Sequence, residues 1–300
     1  MNNKFGHNTI RDPKITIEKN IKRKKPILDR EPQLFLGVPL PSWIELSLID
    51  VCNRDCSFCP KSDANIAPNT YMKMEIKLIE KMISDLKRIK FEGSFTMCGY
   101  GEPLLHPNIS EITNLIGQFW GIEIVTNGDP LTKKKLIELY NSKVSKLVVS
   151  MYDGPEQIDK FTDMLNETNI PKDFMVLRDR WHKGEEFSDY ITNRAGTVTN
   201  GKQIEVKEMK DKKCFYPAYH VQIDWNGDIY ICPHDWQRRN PVGNIMQTDF
   251  FEIWNGKIHN KYRKMLFKGK RDELPCSTCN CVGTVHGSKH YIKWLQSWIK

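Results

Sequence analysis

Between Trp43 and Asp179 the apolar residues switch repeatedly between a period of two and a period near 3.6. The stretches "WIELSLI", "GSFTMCG", "IEIVTNG", "SKLVVSM" and "DFMVLRD" read as strands. Between them "EIKLIEKMISDLKRI", "PNISEITNLIGQF", "LTKKKLIELYNS" and "PEQIDKFTDMLNE" space their apolar residues as helices do. A strand that is followed by a helix cannot turn back as a hairpin, so each crossover returns the chain to a parallel sheet. This predicts five strands, with "KQIEVKEM" a sixth candidate. Eight would be needed for a closed barrel. The expected fold is therefore α/β, a partial (β/α)6 barrel or open sheet.

After about Lys210 the texture changes. "YHVQIDWNGDIYICP" is two alternating runs around Asn226-Gly227, a strong hairpin signal. "DFFEIWNGKIHNKYRKMLFKG" reads as an amphipathic helix with a glycine stop, and "CSTCNC" follows. This predicts a small second domain, over 211–300, whose core is thin enough to need a metal staple. The strand–helix unit then spans 42–210, and residues 1–41 form a basic extension. Residues 1–31 carry nine Lys or Arg against four Asp or Glu, a balance of +5. Such a run can touch nucleic acid. With no aromatic interleaving and no nucleic-acid motif, a solvated, partly disordered tail is the expectation. No apolar run reaches the roughly 20 residues of a membrane span, and the N-terminus lacks the apolar region of a secretory signal. A cytoplasmic protein is expected.

Function in parallel α/β folds gathers at the carboxyl ends of the strands. Here the first strand end opens into "CNRDCSFCP", the second into "GYGEP", the third into "TNGD" and the fourth into "SMYDG". All four are expected to converge on one rim. The nine cysteines fall into groups, with Cys52, Cys56 and Cys59 in one and Cys276, Cys279 and Cys281 in another. Clustered thiols in a reducing compartment point to metal or redox chemistry rather than disulfides. Soft thiolates suit zinc, copper(I) or iron–sulfur centres. The triad has spacing C-x3-C-x2-C and lacks the fourth ligand that closes a structural zinc site. Cys98, inside a strand, reads as a buried inert thiol.

"CNRDCSFCP", followed by "GYGEPLLHP" and "TNG", resembles the radical S-adenosylmethionine (radical SAM) superfamily. The resemblance implies that Cys52, Cys56 and Cys59 hold a [4Fe–4S] cluster whose fourth iron is left for SAM. Phe58 would lie near the adenine. Gly101, Glu102 and Pro103 match the family's Gly-Glu-Pro, whose backbone and carboxylate receive the SAM amino group. Tyr100 departs from the commoner Gly-Gly-Glu-Pro form. Asn127 and Ser150 would meet the SAM carboxylate and ribose. The chain from Cys214 to Cys232, C-x12-G-x4-C, with the later "CSTC", resembles the shorter, twitch form of the SPASM auxiliary domain. That implies a second [4Fe–4S] cluster on Cys214, Cys232, Cys276 and Cys279, with Cys281 able to replace Cys279. Four thiolates also suit zinc.

Four protein ligands would leave no iron for substrate, so the second cluster would pass electrons or support structure. The resemblance to twitch enzymes implies a two-electron oxidation, in which a 5′-deoxyadenosyl radical takes a hydrogen atom from a small polar alcohol of sugar or aminocyclitol type. Arg194, in "NRAG", is expected to form a surface salt bridge or else to orient the substrate or stabilise the radical's developing charge. A flavodoxin or ferredoxin would reduce the first cluster. The alternatives are a radical SAM enzyme that modifies peptides or RNA, and a zinc-stapled nucleic-acid adaptor. About forty residues precede the first strand and read as too polar to fold alone as a peptide-leader domain, so a small-molecule substrate is the expectation, with a peptide kept as the alternative.

Overall fold

The computed structural model describes residues 13–181, 191–198 and 205–299. Five expected strands form: β1 Trp43–Leu46, β2 Ser94–Met97, β3 Ile122–Thr126, β4 Lys146–Met151 and β5 Met175–Asp179. They lie side by side and parallel in that order. The crossovers are α2 (Ile76–Arg88), α3 (Ile109–Gly117), α4 (Lys133–Asn141) and α5 (Glu156–Asn166). Each buries an apolar stripe, for example Leu78, Ile79, Met82 and Leu86 on α2. α1 (Pro13–Leu28) precedes them all.

The sixth parallel strand is not in "KQIEVKEM". Val206–Met209 forms a 3₁₀ turn, and residues 202–204 lie outside the described residues. The strand is β6 (His220–Ile223), the first arm of the predicted hairpin, which pairs parallel to β1 on the side away from β2. β7 (Asp228–Tyr230) and β8 (Gly243–Asn244) extend the sheet antiparallel beyond it. The order is thus β8-β7-β6-β1-β2-β3-β4-β5, with the two edges unpaired among the described residues. A hairpin pattern records only that two runs pair with each other. It leaves open that the first run has a second, parallel partner, and every residue of β6 is buried as a two-sided strand requires.

The helix read over Asp249–Gly269 is two, α7 (Phe250–Trp254) and α8 (Lys257–Phe267), parted by an extended Gly256. α6 is the short Tyr216–Tyr219, and α9 (Ser288–Ile299) closes the chain. The thin second core is not seen. Phe250, Trp254, Leu266, Phe267 and Trp294 belong to the same apolar cluster as Ile44, Phe95 and Leu147 of the sheet.

The basic N-terminal run is likewise no loose tail over its described part. α1 packs against β5 and buries Leu28. Arg23 donates to Glu123 of β3, and Lys24 Nζ lies 3.4 Å from the same carboxylate. Burial would raise the Glu123 carboxyl, but Lys24 and Arg23 outweigh it and hold it below its ordinary value. A buried acid on one strand thus takes up two of the charges that made the tail look solvated.

Candidate active site

The carboxyl ends of β1 to β5 do converge. Groups from all of them line one cavity of about 320 Å³, together with Arg194, Tyr216, Pro233, His234 and Trp236. The loop after β1 carries Cys52, Cys56 and Cys59, all half-buried and unpaired as disulfides. Burial and the two neighbouring thiols push the Cys56 thiol up to about 12, and burial raises Cys52 and Cys59. Three thiols that resist joint ionisation suit a cationic centre, which inverts that preference. Asn127 Nδ2 reaches Cys52 Sγ at 3.8 Å and Asn53 Oδ1 at 2.9 Å.

The loop is held by charges rather than by its thiols. Arg54 spans Asp129 (2.6 Å) and Asp153 (2.6 Å), tying the ends of β3 and β4 to the cysteine loop. Lys61 Nζ is buried against Asp50 Oδ1 and Pro68 O, at 3.1 and 2.8 Å. Asp50 also faces Arg238 at 3.2 Å, and Arg238 pairs with Asp224. None of this framework was read from the sequence. The spacing of Arg54 before two Asp-containing strand ends was its only trace.

Glu102 is 3% exposed, and its carboxylate is engaged within the protein. It accepts from Leu104 N–H (3.0 Å), the Thr126 hydroxyl (2.7 Å) and Asn127 N–H (2.8 Å). Burial pushes it up to about 7 against the pull of those donors. It thus ties the ends of β2 and β3 together while lining the cavity. Pro103 opens the buried turn Pro103–Leu105 behind the cavity. Gly101 does line it, and a Cβ there would sit 2.2 Å from Ile49 O and 2.7 Å from Val51 O. Gly101→Ala is therefore expected to push the turn off the β1 end, costing about 2–3 kcal/mol and abolishing SAM binding. Denaturant unfolding and calorimetric SAM titration check both.

Phe58 packs on Tyr152 with ring centroids 5.6 Å apart. Ser150 accepts from Arg178 Nη2 at 2.7 Å, so the predicted Ser150 comes with an arginine that sequence reasoning missed. Tyr100, the departure from the family pattern, is fully buried. Its hydroxyl donates to Asp235 O at 3.0 Å, and its ring meets Trp236 edge-on at 5.0 Å. The larger side chain thus joins the strand-end rim to the segment after Cys232. Arg194 faces the cavity with a left-handed backbone (φ 47°) and a buried Nε that has no partner among the described residues. Among the described residues no ion pair forms on it.

Beside this cavity lies a second, narrow one ringed by Cys214, Cys232, Cys276, Cys279 and Cys281. Burial raises all five thiols, to about 11 for Cys214. Cys281 N–H points at Cys279 Sγ (3.4 Å), and His234 Nδ1 lies 4.0 Å from the same sulfur. Arg271 holds the Cys281 and Lys212 carbonyls, each at 3.0 Å. Gly283 leaves room for the first thiol, since a Cβ there would be 2.2 Å from Cys214 Sγ. Among the described residues, no three His, Cys, Asp or Glu side chains close on a single ion. Thiols spread around a cavity fit a polynuclear cluster.

This arrangement is that of a radical SAM enzyme with an iron–sulfur auxiliary domain, and the comparisons agree. The radical SAM superfamily model matches residues 46–177, and the iron–sulfur cluster-binding SPASM domain model matches 214–280. The chain thus carries a radical SAM domain, of the family that uses SAM and a [4Fe–4S] cluster, followed by an iron–sulfur cluster-binding domain. It is 28% identical over 247 residues to an S-adenosyl-L-methionine-dependent 2-deoxy-scyllo-inosamine dehydrogenase of Niallia circulans, covering 80% of this chain and 93% of the relative. The crystal structure of BtrN with AdoMet and 2-DOIA superposes with a TM-score of 0.71 at 26% identity, covering 84% of this chain and 98% of that one. Streptococcus suis SuiB bound to its precursor peptide SuiA shares the fold, at 14% identity and a TM-score of 0.57 over 94% of this chain and 78% of that one. No described helix is long and apolar enough to cross a membrane.

Proposed function

We propose that this chain is a SAM-dependent dehydrogenase that oxidises a secondary alcohol on a small polar ring compound, of sugar or cyclitol type, to a ketone. The observation that carries the reading is that Tyr216 and His234 line both cavities. A carbon held among the strand ends is therefore one side chain away from the thiol-ringed cavity. The likeness to a dehydrogenase of an aminocyclitol supports the alcohol as the oxidised group.

In this reading Cys52, Cys56 and Cys59 hold the first cluster, and Cys214, Cys232, Cys276 and Cys279 the second. The Cys281 N–H on Cys279 Sγ favours Cys279 over Cys281, because such a donor stabilises a ligating thiolate. When bound, the reduced first cluster and SAM supply a hydrogen-abstracting 5′-deoxyadenosyl radical, and the second cluster supplies an electron acceptor. Phe58 and Tyr152 offer an aromatic face for adenine, and Ser150 with Arg178 offers donors for the SAM carboxylate. Gly101 lets the turn approach closely, Glu102 and Pro103 fix that turn, and Asn127 orients Cys52. Arg194 orients the substrate. A flavodoxin or ferredoxin of the cytoplasm is the proposed reductant.

The test is anaerobic turnover of the reconstituted enzyme with 2-deoxy-scyllo-inosamine and related ring alcohols. One ketone should form for each 5′-deoxyadenosine. Formation of 5′-deoxyadenosine with a product at the same oxidation level as the substrate would overturn the reading.

A further inference from the structure

We propose that the ring oxidised here carries a second, neutral polyhydroxylated ring, such as a glycosyl group, which lodges in a third cavity beside the strand ends. This rests on the dehydrogenase reading for the nature of the first ring and its place beside SAM.

The third cavity measures about 740 Å³ and is walled by α1, β1, β6 and the chain after Cys281. Lys24, Glu45, Tyr216 and Pro233 line both it and the strand-end cavity, so the two spaces adjoin across these side chains. The strand-end cavity, at about 320 Å³, stands at the low end of the roughly 300–1,000 Å³ that ligand pockets span. It has SAM to hold as well as the reacting ring. A ring alcohol seated there against Glu45 and Tyr216 therefore has a larger space next to it, and a substituent on that ring has somewhere to go.

The walls define what fits. Ile17, Ile21, Trp43 and Tyr219 give apolar and aromatic faces, against which the C–H side of a sugar ring can lie. Two polar atoms in the wall, the Thr192 hydroxyl and His220 Nδ1, are buried and have no partner among the described residues. His220 is 2% exposed, and its other nitrogen is held by Glu45 at 3.3 Å. Buried polar atoms are nearly always hydrogen-bonded, so these two point to a ligand. A hydroxyl both donates and accepts, and so satisfies Thr192 and either tautomer of His220. The buried charges of the wall are already engaged within the protein. Lys24 Nζ lies 3.4 Å from Glu123, Glu45 pairs with His220, and His286 Nδ1 lies 3.2 Å from Asp29, while Glu18 is exposed. A charged substituent would be desolvated here without a counter-charge, whereas a neutral polyol needs none.

The experiment is calorimetric titration of the reconstituted enzyme, loaded with SAM and kept oxidised so that SAM is not cleaved. The probes are two single rings, myo-inositol and 2-deoxystreptamine, and a glycosylated form of each, galactinol and paromamine. At least one glycosylated probe should bind about tenfold or more tighter than its parent ring. Val285→Trp, from the half-exposed chain after Cys281, and Ile21→Trp, from α1, fill the cavity and should each remove that gain. Thr192→Val deletes one hydroxyl at nearly constant shape and should cut it about threefold or more. SAM titrated into each variant reports whether the strand-end site is intact. Glycosylated probes that bind no tighter than their parents, or that do not bind, overturn the proposal, as does a gain that survives in both filling variants. A gain lost in the filling variants but kept in Thr192→Val supports the cavity and overturns the part of Thr192. Because no turnover is involved, the outcome is independent of the ketone assay. Preference for glycosylated rings without ketone formation would sink the dehydrogenase reading alone, and ketone formed from single rings with no such preference would sink this one alone.

Discussion

Replacing Cys52, Cys56 and Cys59 together by alanine is expected to halve the iron of the reconstituted protein, from about eight atoms per chain to about four. SAM cleavage should fall to background while the protein stays folded. The argument lies in what holds the loop. Asn69 receives Cys52 N–H at 3.1 Å, and Arg54, Asn53 and Lys61 anchor the segment to Asp129, Asn127 and Asp50. These bonds use backbone and neighbouring side chains, so deleting the thiols leaves the framework intact. The second thiol set lies in its own cavity and shares no cysteine with the first. Iron and sulfide counting with a thermal melt on the same samples checks the claim. Loss of all iron, or a melting point far below wild type, would show that the two sites are not independent.

The α/β fold with its parallel sheet was legible in the sequence, and so were the candidate site residues, while several strand and charge partners were not, for a physical reason. Metal and SAM chemistry needs particular atoms, so Cys52, Cys56, Cys59 and the Gly101 turn announce themselves by residue type and spacing. Strand partners are chosen by burial, which many sequences satisfy. "HVQI" could pair only with its hairpin mate or with β1 as well, and nothing local separates the two. Charges mislead in the same way. Arg23 and Lys24 look like solvent residues until Glu123, a hundred positions away, supplies a buried partner. Glu102 shows the converse. Its motif was legible, but the motif does not say whether the carboxylate faces SAM or the neighbouring strand end. The three donors that converge on it come from Leu104, Thr126 and Asn127, and the motif alone names none of them. Tyr100 was visible as a departure from the family pattern, yet its meaning depends on Trp236 and Asp235 in a distant segment.

Removing the second thiol set should separate SAM cleavage from oxidation. In Cys232→Ala and Cys276→Ala the iron content should again drop to about four atoms per chain. With substrate present 5′-deoxyadenosine should still form, while ketone falls to background. The fold should survive because the cysteines are not what holds this region to the sheet. Arg263 is sandwiched between Trp254 and Trp294, 4.0 and 3.9 Å from their ring centroids, and donates to Trp254 O and Pro217 O. Trp294 Nε1 donates to Ala218 O, Asn193 and Asn280 pair across 87 residues, and β6 is locked into the sheet beside β1. A stack of two cation–π contacts and a shared apolar core outweighs one deleted thiol, which costs at most about a methyl-sized cavity, roughly 1 kcal/mol. The ratio of ketone to 5′-deoxyadenosine is then the decisive quantity. A ratio that collapses in both variants ties the oxidation to the thiol-ringed cavity through the Tyr216 and His234 wall. A ratio that stays near one while iron is lost would mean that the electron leaves the substrate by another route, and that these cysteines serve only to hold their end of the sheet.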